Sequence, residues 1–154
     1  MSAEPAADRE DPIEVFGPEE TEAIGRRIAA ELEPGDVVLL RGEVGAGKST
    51  LIRAALRELG VEGAIPSPTF TIGRSYEGRL PVSHLDLHRL GPVADEDPGL
   101  LAEYFAPERV VFVEWPGEDV GVLATGVARV RTIELTHLGG DSRRIAVGPI
   151  RRVT

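Results

Sequence analysis

The chain has 154 residues, 42% of them hydrophobic, with no cysteine and a formal net charge of −9 at pH 7. That length allows one domain with a real core. The missing cysteines exclude disulfides, thiolate zinc sites and thiol nucleophiles, and the acidic balance argues against direct binding of DNA or RNA.

Residues 1–12 are Pro, Ala and acidic residues without periodicity and are expected to form a disordered acidic tail, leaving 13–154 as a single domain. Ile13 to Phe16 reads as a short strand. Gly17 and Pro18 open a helix with Ile24, Ile28 and Leu32 on one face and Arg26, Arg27 and Glu31 outward, stopped by Pro34-Gly35. Asp36 to Leu40 is a buried strand, and Ser49 to Leu59 a helix ending at Gly60. Thr71–Tyr76 and Leu80–Leu87 form a hairpin turned at Glu77-Gly78-Arg79. Residues 91–99 are a loop and Leu100–Phe105 a short helix. Val110 to Val113 is a buried strand closed by Glu114, and Ala128–Leu138 with Arg143–Val147 make a terminal hairpin. The fold class expected is α/β: a three-layer P-loop NTPase-like domain with a mixed sheet, a parallel core and edge hairpins. No apolar stretch approaches membrane length and the start Met1–Pro5 is acidic, so a soluble, cytoplasmic protein without membrane contact is expected.

Between the second strand and the second helix lies Gly42-Glu43-Val44-Gly45-Ala46-Gly47-Lys48-Ser49, a complete GxxxxGK[ST] phosphate-binding loop. Lys48 is the chain's only lysine; the remainder of the 17 Lys and Arg residues are arginine. A compact ammonium on a flexible stem can follow the β- and γ-oxygens of a nucleotide, where a forked guanidinium would crowd a glycine loop. Glu43, Val44, Gly45, Ala46, Gly47, Lys48, Ser49 and Thr50 form the expected cradle, with Lys48 on the terminal phosphates and Ser49 on Mg2+. There is no Asn and no Gln anywhere. The Asn-Lys-x-Asp signature that reads guanine is therefore impossible, and ATP and ADP are the expected ligands. A water-positioning glutamine is equally impossible.

A P-loop needs a further acid for its metal, usually at the carboxyl end of a neighbouring strand. Glu114 closes a fully apolar strand and Asp86 a half-polar one. Either can hold magnesium while the other orients water; Glu114 is favoured for the metal. Period-two spacing also puts His84, Asp86 and His88 on one face, a pattern open to zinc, but magnesium already accounts for the carboxylates. Arg89 can approach the γ-phosphate or cap the following loop.

The P-loop with Thr50, then Ser67-Pro68-Thr69-Phe70, His84-Leu85-Asp86-Leu87-His88-Arg89-Leu90, Glu103-Tyr104-Phe105 and Val113-Glu114-Trp115-Pro116, in that order, resemble the TsaE (YjeE) family. The likeness runs from about Glu20 to the last strand. It departs at His88, where the family commonly has tyrosine, and in the acidic stretch Gly91 to Gly99. The resemblance implies a small ATPase subunit in the installation of threonylcarbamoyl on the adenosine beside the anticodon of tRNAs reading ANN codons. It would work with a TsaB–TsaD pair and meet tRNA only through those partners. By the same likeness Thr69 belongs to a switch-like segment at the metal, Asp86 and Glu114 are its acidic partners, Trp115 lies beside them, and the segment around Glu20 and Thr21 lines the adenine side. Two other functions stay open: a small-molecule P-loop kinase, and a nucleotide-gated adaptor without useful hydrolysis.

Overall fold

The computed structural model describes residues 11–43, 45–66, 73–87, 102–114 and 129–152. In chain order the elements are β1 (Ile13–Val15), α1 (Pro18–Ala30), β2 (Val37–Arg41), α2 (Lys48–Glu58), β3 (Gly73–Tyr76), β4 (Val82–Asp86), a 3-10 turn (Glu103–Phe105), β5 (Val110–Glu114), β6 (Arg129–Gly139), β7 (Ser142–Val147) and β8 (Arg151–Arg152). One sheet holds the strands in the order β1-β7-β6-β2-β5-β4-β3, with β8 added beside β6. Its centre is parallel: β2 pairs β5 and β6, and β4 pairs β5. Its margins are the antiparallel hairpins β3–β4 and β6–β7, with β1 antiparallel to β7. The expected α/β class, mixed sheet, parallel core and edge hairpins are all present.

The alternation of each central strand divides the core. On one face Val38, Leu40, Phe112, Val82, Ile133 and Ile145 pack with Ile24 and Ile28 of α1 and with Leu51, Ile52, Ala55 and Leu56 of α2. On the other, Val37, Val111, Val113, Leu85 and Leu87 meet Tyr104 and Phe105 of the 3-10 turn. Burial of β2 and β5 on both faces is why their sequences run apolar without alternation. Among the described residues, both helices therefore share one side of the sheet, and Gly25 of α1 faces the Leu51 carbonyl of α2 with no space for a side chain.

Several elements differ from expectation: β4 is shorter than Leu80–Leu87, and the helix expected at Leu100–Phe105 is, in the described residues, the 3-10 turn Glu103–Phe105. Helix α1 stops at Ala30 rather than running to Pro34: the amides of Glu31 and Leu32 turn back to Ile28 and Ala29 in short-range bonds, and Leu32 is buried from outside the helix. The residue before a proline avoids the α region, which shortens the helix ahead of Pro34. Strand β8, only Arg151–Arg152, carries no apolar pattern and was not expected. The tail expected at 1–12 falls, apart from Asp11 and Pro12, outside the described residues, as does the loop at 91–99. No helix among the described residues is long and apolar enough to cross a membrane.

Candidate functional site

The loop between β2 and α2 leaves the sheet at the carboxyl ends of its parallel strands. Gly42 follows β2 directly and runs against β6: a Cβ on it would stand 2.6 Å from the Leu135 carbonyl oxygen, so only glycine fits. Gly47, in the left-handed region at φ 100°, is the N-cap of α2, whose first residue is Lys48. The amide of Ala46 turns back to Glu43 O at 3.1 Å, tightening the loop ahead of the helix. The positive end of α2 opens there behind a glycine-rich loop, the arrangement that binds phosphate.

Lys48 is only 5% exposed. Its Nζ donates to the carbonyls of Gly42 and, at 3.1 Å, Glu43, folding the side chain back over its own loop. Burial lowers its pKa, while the charges of Glu114, Asp86 and Glu43 pull it back up. Both predicted acids thus act on the predicted lysine through space. Asp86 and Glu114 are themselves Cα partners at the ends of the parallel strands β4 and β5. Glu114 is 4% exposed, and its backbone carbonyl accepts from the Leu87 amide at 3.1 Å. The arrangement brings Lys48, Asp86 and Glu114 together from three separate elements.

Thr21 also reaches this place. It is buried on the first turn and a half of α1, donates to Gly17 O, and its Cγ2 lies 3.7 Å from where a Cβ on Gly47 would be. Glu20 is spent locally, its carboxylate accepting from the Phe16 amide at 3.0 Å. Val44, Thr69, His88, Arg89 and Trp115 lie outside the described residues. Arg53 and Arg57 are exposed, as expected of outward charges, and Arg57 donates to Val61 O and Gly63 O.

Two contacts at the site were not anticipated. Arg143 of β7 donates through Nε to Gly45 O at 3.1 Å and through Nη1 to Gly140 O at 2.8 Å, tying the β6–β7 turn to the loop. His84 sets Nε2 at 2.8 Å from Glu114 Oε2, both side chains almost fully buried. Nothing in the sequence marks Arg143 out among sixteen arginines; His84 was visible by its shared parity with Asp86, but not its partner across the sheet.

The oxygen donors of Ser49, Asp86 and Glu114 suit a hard cation such as magnesium. Among the described residues no group of three or more His, Asp and Glu side chains is arranged to hold a metal by itself. Magnesium is typically held by one or two carboxylates with nucleotide phosphates and water completing the sphere, and this donor set fits that description. It does not suit zinc, since the His84 nitrogen facing the acids is engaged by Glu114.

The family model described as threonylcarbamoyl adenosine biosynthesis protein TsaE matches residues 16–145. The tRNA threonylcarbamoyladenosine biosynthesis protein TsaE of Synechocystis is 40% identical over 121 residues, covering 77% of this chain and 70% of that protein. Its namesake in Bacillus subtilis is 46% identical over 99 residues, covering 64% of this chain and 61% of the relative. Among solved structures, that of Bacillus subtilis YdiB superposes with a TM-score of 0.70 at 31% identity, over 93% of this chain and 88% of the other. With a family match over most of its length, and a relative 40% identical over 77% of it, the chain belongs to the TsaE family.

Proposed function

We propose that this protein is a magnesium-dependent ATPase that serves tRNA threonylcarbamoyladenosine biosynthesis. The observation that carries the reading is the convergence of Lys48, at the start of α2, with Asp86 and Glu114 at the ends of β4 and β5. The family membership supplies the pathway.

In this reading Gly45 and Gly47 present amides to the β-phosphate, and Lys48 exchanges its loop carbonyls for the terminal phosphate oxygens. That exchange needs no change of fold, because the lysine already lies over the loop. Ser49 and Glu114 would hold magnesium with support from Asp86 and Thr69, and the ion would supply neutralisation of phosphate charge. The acid not engaged with the metal orients the attacking water, a task no glutamine can perform here. Thr21, against Gly47, steadies the loop from the adenine side.

The net charge of −9 leaves tRNA to partners, a TsaB–TsaD-like pair in which the threonylcarbamoyl transfer occurs. A cytoplasmic setting follows from that role. The test is ATP hydrolysis by the purified chain alone and with TsaB, TsaD and tRNA. Slow turnover alone that rises with the partners supports the proposal. Phosphate transfer to an added metabolite in place of water would replace it with a kinase, and nucleotide-dependent association without hydrolysis would replace it with an adaptor.

A further inference from the structure

The carboxylate of Glu114 is held from the neighbouring strand. In the parallel register of β4 and β5, Phe112 is the Cα partner of His84, and Glu114 that of Asp86. His84 and Glu114 are thus diagonal neighbours on the helix-bearing face, close enough for Nε2 to meet Oε2 at 2.8 Å. The imidazole is 2% exposed and the glutamate 4%. His84 Nδ1 has no hydrogen-bond partner among the described residues. Donation from Nε2 is accordingly the ring's one bond there, and it fixes the tautomer with the proton on Nε2.

A glutamate has three side-chain torsions, and Asp86 beside it repels the same charge. Left to itself the Glu114 carboxylate would turn away from Asp86 and sample several rotamers. We propose that His84 is a positioning residue that pins one oxygen of Glu114, so that the other stays turned toward Lys48 and the magnesium of the bound nucleotide. The ordering cost of the carboxylate is then met on folding rather than on binding. The proposal rests on Glu114 being a metal ligand.

The test compares His84→Gln with His84→Asn. A glutamine amide reaches the place of Nε2 and an asparagine amide only that of Nδ1, so the first can restore the bond and the second cannot. Calorimetric titration of ADP in EDTA and in excess magnesium gives a magnesium increment in affinity for each protein, with thermal unfolding run alongside. His84→Asn should lose about tenfold or more of that increment, with its affinity in EDTA unchanged. His84→Gln should keep most of it. A wild-type increment in His84→Asn, equal losses in both variants, or a matching fall in EDTA would overturn the proposal. Glu114→Gln separates the two levels. If it keeps the increment, the metal assignment falls and the role of His84 with it. If it loses the increment while His84→Asn retains it, the metal assignment stands and the positioning role alone falls.

Discussion

Substituting Gly42 by alanine tests whether the phosphate loop is held by β6. A Cβ at Gly42 would stand 2.6 Å from the Leu135 carbonyl oxygen and 3.3 Å from Ala46 Cβ, where ordinary contact begins at 3.4 Å. The loop and β6 must therefore part by about 0.8 Å, and no rotamer relieves the clash because both partners are backbone or Cβ atoms. Overpacking of this kind costs about 1–3 kcal/mol, and the backbone at φ 154° adds about 1–3 kcal/mol for a non-glycine residue. Reduced freedom of the unfolded chain returns about 0.4–1 kcal/mol. The net is a destabilisation of about 3 kcal/mol, or a fall in Tm of about 6–12 °C for a domain of this size. Gly45 supplies the comparison: its φ is also positive, at 84°, but a Cβ there meets nothing within 4 Å. Gly45→Ala should lose only about 1–2 kcal/mol. Thermal and urea unfolding of both variants, with ADP titrations, reads the difference. Since Lys48 Nζ donates to Gly42 O, a displaced Gly42 also moves the lysine, and ADP affinity should fall in Gly42→Ala. Equal stability of the two variants, or a Gly42→Ala protein with wild-type Tm and affinity, would refute the anchoring of the loop on Leu135.

Three further outcomes follow from the site and its support. Lys48→Ala should fold and lose ATP hydrolysis, and Lys48→Arg should be badly impaired too, since charge survives but shape does not; hydrolysis at the wild-type rate by Lys48→Ala would remove Lys48 from the site, and by Lys48→Arg would refute the argument from shape. Glu114→Gln should weaken ADP and ATP affinity only when magnesium is present, while Asp86→Asn should bind nucleotide and lose turnover, measured by calorimetry and steady-state kinetics; the reverse pattern would exchange the two roles, and normal turnover in both would place the acids elsewhere. At the opposite end of β2, Arg129 grips the buried Asp36 with Nε at 2.9 Å and Nη2 at 2.7 Å. Asp36→Asn should cost about 3 kcal/mol, the lower end for breaking a buried pair, because Arg129 keeps Glu31 O and Glu33. Urea unfolding should show that loss with ADP affinity unchanged; a loss below about 1 kcal/mol would mean the pair is solvated in effect.

The site was legible wherever chemistry is written into short segments. The P-loop, its flanking strand and helix, and the acids closing β4 and β5 follow from local patterns of residue type. What local pattern does not carry is the lateral arrangement of strands. Parallel pairing of β4 with β5 makes Asp86 and Glu114 neighbours, and its register sends His84 diagonally to Glu114 rather than to a metal. Val82-Ser83-His84 looks half-polar as a string, yet all three are buried, because β4 lies inside the sheet between β3 and β5. Lys48 is similarly more enclosed than a loop lysine suggests, since its own loop supplies acceptors. The hairpin that carries Arg143 is written in Gly139-Gly140-Asp141, but Arg143 reaches Gly45 only because β6 pairs with β2, and nothing within a few residues of it announces that pairing.

The position of β2 at the middle of the sheet has a consequence for how the protein comes into being. Val37 pairs with Val111 on one side and Val130 on the other. The strand that ends in the nucleotide loop is therefore made early in synthesis and finds its neighbours late. Such distant pairings fold slowly, since loop closure precedes any gain from contact. Until β6 has left the ribosome, the Leu135 carbonyl that flanks Gly42 does not exist, and both edges of β2 stand open to other chains. If the loop holds ATP as proposed, the ligand would meet a formed site only once β6 is made, and its binding would favour the assembled sheet over forms that lack β6.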